Sequence, residues 1–101
     1  MKKYTVQVSP RARLNILKLE YLITYLYGAP LTAKRYVEGL YAQIQSIATY
    51  PESIKISDKK DVLRYGVNAR AIRYRKMLIV YTVHDAIVVI ETVMPASMVI
   101  E

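Results

Sequence analysis

The chain has 101 residues, a net charge of +7, ten tyrosines, and no cysteine, phenylalanine or tryptophan. That length suits one domain, residues 1–101, with a core that needs no covalent staples. The lack of cysteine excludes disulfides, thiolate zinc sites and cysteine nucleophiles, and the single histidine, His84, argues against a histidine-built metal centre.

Lys2-Lys3 lead into alternating residues and not into the apolar core of a signal peptide. No run reaches the ~18 consecutive apolar residues of a membrane span. A soluble, cytoplasmic protein with no metal or other cofactor is the expectation. From Lys3 to Val8, Tyr4, Val6 and Val8 alternate with Thr5 and Gln7, the period of a strand. Ser9-Pro10 then has the form of a helix N-cap followed by proline in the first turn. The spacing predicts a first helix to about Tyr27, stopped at Gly28, where a positive φ is tolerated. Ala29-Pro30 opens a second helix to about Tyr50, closed by Pro51. Joined by so short a turn, the two form an antiparallel hairpin.

The second helix has one apolar stripe, Ala33, Val37, Leu40, Ile44 and Ile47. Gly39 interrupts it at a cost of ~1 kcal/mol against alanine, which points to a close approach by a neighbour. The first helix has two rows. Ala12, Ile16, Leu19, Ile23 and Leu26 make a core stripe, and Leu14, Leu17, Tyr21 and Tyr25 lie beside it. A helix packed on a sheet needs an apolar stripe roughly 100° wide. The second row is therefore either absorbed by the neighbouring helix or offered to a partner.

Pro51–Asp61 is a polar loop, and Val62–Val67 has the look of a short strand. Three β-rich runs follow, Arg70–Tyr74, Met77–Val83 and Ala86–Val93, separated by Arg75-Lys76 and His84-Asp85. Gaps that short permit only antiparallel neighbours. The predicted fold class is α+β: a two-layer sandwich of N-terminal strand, helical hairpin and antiparallel β-meander. The tail after Met94 is expected to be irregular.

Residues 62–76 carry +5, from Arg64, Arg70, Arg73, Arg75 and Lys76, whereas residues 77–101 carry −3. Such a cluster suits a polyanion or an acidic partner, or it guards an edge strand against aggregation. No glycine-rich phosphate cradle and no acid–base pair of carboxylates is evident. Adjacent residues in a tight turn point apart, so His84 and Asp85 are assigned to the turn and not to a catalytic dyad. Arginine and lysine hold anions well but are poor general bases at neutral pH, so binding is the stronger expectation.

Several short motifs occur in a telling order: Ser9-Pro10-x-Ala12 at the first helix, Ala33 to Ile47 with Pro51 in the second, Arg70, Ile79-Val80-Tyr81 and Val88-Val89-Ile90. From Lys3 to Val93 the chain resembles the RelE/ParE superfamily, the toxins of type II toxin–antitoxin pairs. The resemblance implies a helical hairpin on an antiparallel sheet in strand order 1-5-4-3-2. RelE-like members cut mRNA on the ribosome, and ParE-like members poison DNA gyrase.

The lysines of the nuclease branch fall here at Ala69 and Ala71, its arginine falls at Leu78, and Met94 to Ile100 holds no basic or tyrosyl residue. The His and Arg residues usual after the last strand of the ParE-like branch are absent as well. The resemblance is thus closer to the ParE-like branch: a growth-inhibiting toxin that binds gyrase through Arg64, Arg70, Arg73, Arg75 and Lys76. Its cognate antitoxin would be small, acidic and partly disordered, docking on Leu14, Leu17, Tyr21 and Tyr25 or on the basic strand. The alternatives are a ribosome-dependent mRNA endoribonuclease using Arg73, Arg75, Lys76 and His84, or a non-toxic antitoxin-binding remnant.

Overall fold

The computed structural model describes residues 3–99. Strand β1 (Thr5–Val8) leads into helix α1 (Pro10–Tyr21), a π-helical turn (Leu22–Leu26) and helix α2 (Pro30–Ser46), which ends in a 3-10 turn at Ile47–Thr49. After a loop and the short helix α3 (Lys60–Leu63) come β2 (Arg70–Tyr74), β3 (Met77–His84), β4 (Ile87–Pro95) and a final 3-10 turn, Ala96–Met98.

The sheet has the order β1-β4-β3-β2. The two-residue turns make β2–β3 and β3–β4 antiparallel, with Arg75 and Asp85 taking left-handed φ of 54° and 58°. In contrast, β1 lies parallel to β4, Thr5 opposite Ile87 and Val8 opposite Ile90. A parallel neighbour needs a long connection, and here the whole intervening chain supplies it. Val62–Val67 is not a strand: its first residues close α3, where the amide of Val62 and that of Leu63 both reach Lys59 O. Among the described residues the sheet therefore has four strands where the resemblance implied five, and β1 breaks the all-antiparallel expectation.

Ser9 caps α1 by accepting from Ala12 N at 3.0 Å, and its hydroxyl donates to Glu91 O at 2.8 Å. Beyond the end of β1, Asn15 Oδ1 accepts from Val93 N at 3.1 Å and Thr92 Oγ1 at 2.8 Å, so a helix side chain continues the pairing of β4. The core lies between the hairpin and one face of the sheet, where Ala12, Ile16, Leu40, Ile44 and Ile47 meet Ile79, Tyr81, Val88, Ile90 and Val93. The stripe expected on α2 is the one that packs there.

The stripe on the first helix holds only in part. The π-turn inserts an extra residue into the winding, with Tyr27 N bonded to Leu22 O, and Gly28 then turns the chain with φ of 60°. Positions after Ile23 are rotated off the core line, and Leu26, expected inside, is 70% exposed. On the other face of the sheet α3 and the C-terminal turn cover a smaller cluster, Val62, Ala69 and Val80 with Tyr65, Ala71, Met94 and Val99.

Candidate functional site

The second row of α1 is not absorbed by α2. Leu14, Leu17, Tyr21 and Tyr25 are 52%, 56%, 63% and 69% exposed. The last two rings touch, with centroids 4.8 Å apart and planes tilted by 44°. Arg13 and Lys18 stand exposed on the same helix. The π-turn adds Leu26, and Tyr27 and Leu31 extend the apolar surface around the tip of the hairpin. Isolated exposed apolar side chains are ordinary, whereas a contiguous exposed row such as this one is not.

The five basic residues picked out from the sequence do not form one patch. Arg70 is turned to the helix side of the sheet, where Nη1 donates to Glu52 O at 2.9 Å and Ile54 O at 2.7 Å. It straps the loop after α2 to the start of β2, and its Nε is buried without a partner. Arg73, three positions along the strand, lies on the opposite face; its Nε donates to Arg75 O at 2.8 Å. Arg75 sits 5.9 Å from the ring of Tyr36 and 5.7 Å from that of Tyr74. Lys76 and Arg73 share a depression with Ser97. Arg64, at the end of α3, is 6.0 Å from the Tyr65 ring.

Sequence reasoning missed Arg11, which approaches the same Tyr65 ring at 5.4 Å. No local spacing joins the first turn of α1 to α3; only the fold does. It also missed a polar chain on that face. Thr82 Oγ1 donates to Glu91 Oε2 at 2.7 Å and accepts from His84 Nε2 at 2.9 Å, which fixes the proton on that ring nitrogen. The i, i+2 spacing of Thr82 and His84 was readable, but Glu91 joins them through a bulge: Tyr81 pairs with Ile90 and Val80 with Thr92, leaving Glu91 between. Asp85 instead lines a depression with Arg70, Glu52 and Val83, so the two neighbours in the turn do diverge.

Where the nuclease resemblance would place cations, Ala71 and Leu78 flank Arg73 in a shallow groove, and Ala69 is buried. Among the described residues no group of three His, Cys, Asp or Glu could hold a metal ion, and no helix is long and apolar enough to cross a membrane.

The family model described as "ParE toxin of type II toxin-antitoxin system, parDE" matches residues 6–100. The chain belongs to the ParE toxin family. Its fold is similar to that of a solved structure described as "Chromosomal ParDE TA system from P. aeruginosa", with a TM-score of 0.76 over 92% of this chain and 96% of that one. The identity is 11%, so the likeness concerns the fold. No curated protein sequence matches the chain.

Proposed function

We propose that this ParE-family toxin acts by binding DNA gyrase, with no chemistry of its own, and that a small acidic antitoxin neutralises it. The family match over residues 6–100 carries the proposal. The geometry supports the binding mode in two ways. Only Arg73 represents the nuclease cations on the open sheet face, where Ala71 and Leu78 stand beside it, and a phosphoryl transition state needs several preorganised cations. The row Leu14, Leu17, Tyr21 and Tyr25 supplies an apolar docking strip for the folding segment of an antitoxin, and the positive charge around it suits an acidic partner.

The test is a supercoiling assay with purified gyrase and relaxed plasmid. Inhibition at micromolar toxin, relieved by stoichiometric antitoxin, is the expected result; untouched supercoiling at that concentration sinks the gyrase target. A second reading, ribosome-dependent mRNA cleavage, draws on the chain from His84 through Thr82 to Glu91 and on Arg73, Arg75 and Lys76. It predicts cuts within translated frames on induction.

A further inference from the structure

At the end of the sheet that carries the β3–β4 turn, several stretches of chain meet around a depression of about 330 Å³. Glu52 and Ile56 come from the loop after α2, Asn68 and Arg70 from the entry to β2, Val83 from β3 and Asp85 from the turn. Ligand pockets run from roughly 300 to 1,000 Å³, so this one suits a small molecule. The chain carries +7 overall, yet the described lining sets two carboxylates against one guanidinium and is net negative. The Asp85 carboxylate has no hydrogen-bond or ion-pair partner among the described residues. Glu52 accepts from the Tyr4 hydroxyl, which holds its carboxylate in place. Ile56 and Val83 give the depression apolar walls.

Arg70 supplies the opposite charge. Its Nη1 donates to the carbonyl oxygens of Glu52 and Ile54, which fixes the guanidinium, and its Nε is buried without a partner. Among the described residues nothing engages Nη2 either, so the Nε–Nη2 edge is the pair of donors left to an acceptor. A buried donor left unpaired is rare in folded proteins, and a carboxylate meets such an edge through two parallel hydrogen bonds. The charges then select what fits. An anion alone would face Asp85 and Glu52, and a cation alone would leave the Arg70 edge unpaired and be repelled by it. A ligand with one carboxylate and two ammonium groups matches all three charges.

We infer that this depression binds a free basic α-amino acid, with its carboxylate on the Nε–Nη2 edge of Arg70, its ammonium groups toward Asp85 and Glu52, and its methylenes against Ile56 and Val83. Asn68, with both donor and acceptor atoms, completes the polar wall. Only the folded chain brings these residues together, so the ligand also stabilises the fold. Neither the apolar row of α1 nor Arg73 lines the depression, and the inference does not depend on what the toxin targets.

The test titrates the full chain, labelled with nitrogen-15, with L-lysine at constant ionic strength. Saturable amide shifts at Asn68, Arg70, Val83 and Asp85 are expected, with a dissociation constant below about 1 mM, and the Arg70 Nε–Hε resonance should move with them. Asp85→Asn keeps the side-chain shape and tolerates the left-handed φ of 58°, and it should weaken binding roughly tenfold. Cadaverine, which lacks the carboxylate, and L-norleucine, which lacks the second ammonium, should each bind the unaltered chain roughly tenfold more weakly than lysine. Equal affinity for cadaverine would overturn the inference, because no carboxylate would then sit on Arg70. So would equal affinity for norleucine, shifts that do not saturate, or an undiminished response in Asp85→Asn.

Discussion

Tyr81 shows how one buried polar atom is managed. Its side chain is fully buried in the core, and its hydroxyl donates to Pro51 O at 2.7 Å. Burial pushes its pKa up to about 12, with Arg70 pulling the other way and Tyr50 adding a little. An unfolded tyrosine loses its proton near pH ~10. Above that pH the unfolded state ionises first, so the stability contributed by Tyr81 is complete below pH ~10 and disappears as pH rises toward about 12. At neutral pH, Tyr81→Phe should cost about 1–3 kcal/mol, because the Pro51 carbonyl loses its donor. Above pH ~10 the gap between the two proteins should narrow in denaturant titrations. A gap that stays constant up to pH 12 would contradict this assignment. Arg70 carries the corresponding lesson about legibility. The sequence marks it as one cation of a basic cluster; the structural job it does, binding the backbone carbonyls of Glu52 and Ile54, was not legible because carbonyls have no sequence signature.

Among the elements, the stripe of α2 and the three meander strands were legible because periods of 3.6 and 2 report which side faces the core. The glycine in α2 was legible too, and its neighbour is now clear. A Cβ on Gly39 would lie 2.2 Å from the Tyr74 hydroxyl, which donates to Tyr36 O at 3.1 Å. Gly39→Ala should therefore destabilise by roughly 1–3 kcal/mol despite the better helix propensity of alanine. In a Tyr74→Phe background that cost should shrink, since the nearest remaining atom is 3.2 Å away. Equal costs in both backgrounds, measured by thermal melts, would show that the hydroxyl is not what excludes a side chain.

The π-turn and α3 were not legible. Neither changes the local apolar pattern, so periodicity carried Leu26 into the core and made Val62–Val67 a strand. The uncovered row of α1 leads to a direct expectation for the proposed antitoxin. Changing Leu17 and Tyr21 together to Asp, both exposed and so tolerable to the fold, should abolish its co-purification. Retention at wild-type yield would place the interface elsewhere.

Across the whole molecule the two layers separate two chemistries. The hairpin side presents an apolar helical row, and the open sheet side presents an arginine-centred groove beside α3 and the C-terminal turn. The two-layer arrangement was readable from the order of the elements and from gap lengths. Strand alternation already sets Ala71 and Arg73 opposite Ile72 and Tyr74, and so Arg73 opposite Arg70, but which of these faces meets the hairpin was not readable from β2 itself. A toxin that acts by binding should leave a particular trace in cells. DNA, RNA and protein synthesis, pulse-labelled just after induction of this chain without antitoxin, test that most directly. DNA synthesis is predicted to fall first, with translation sustained over the same interval; early loss of protein synthesis, with mRNA cut in translated frames, would contradict it.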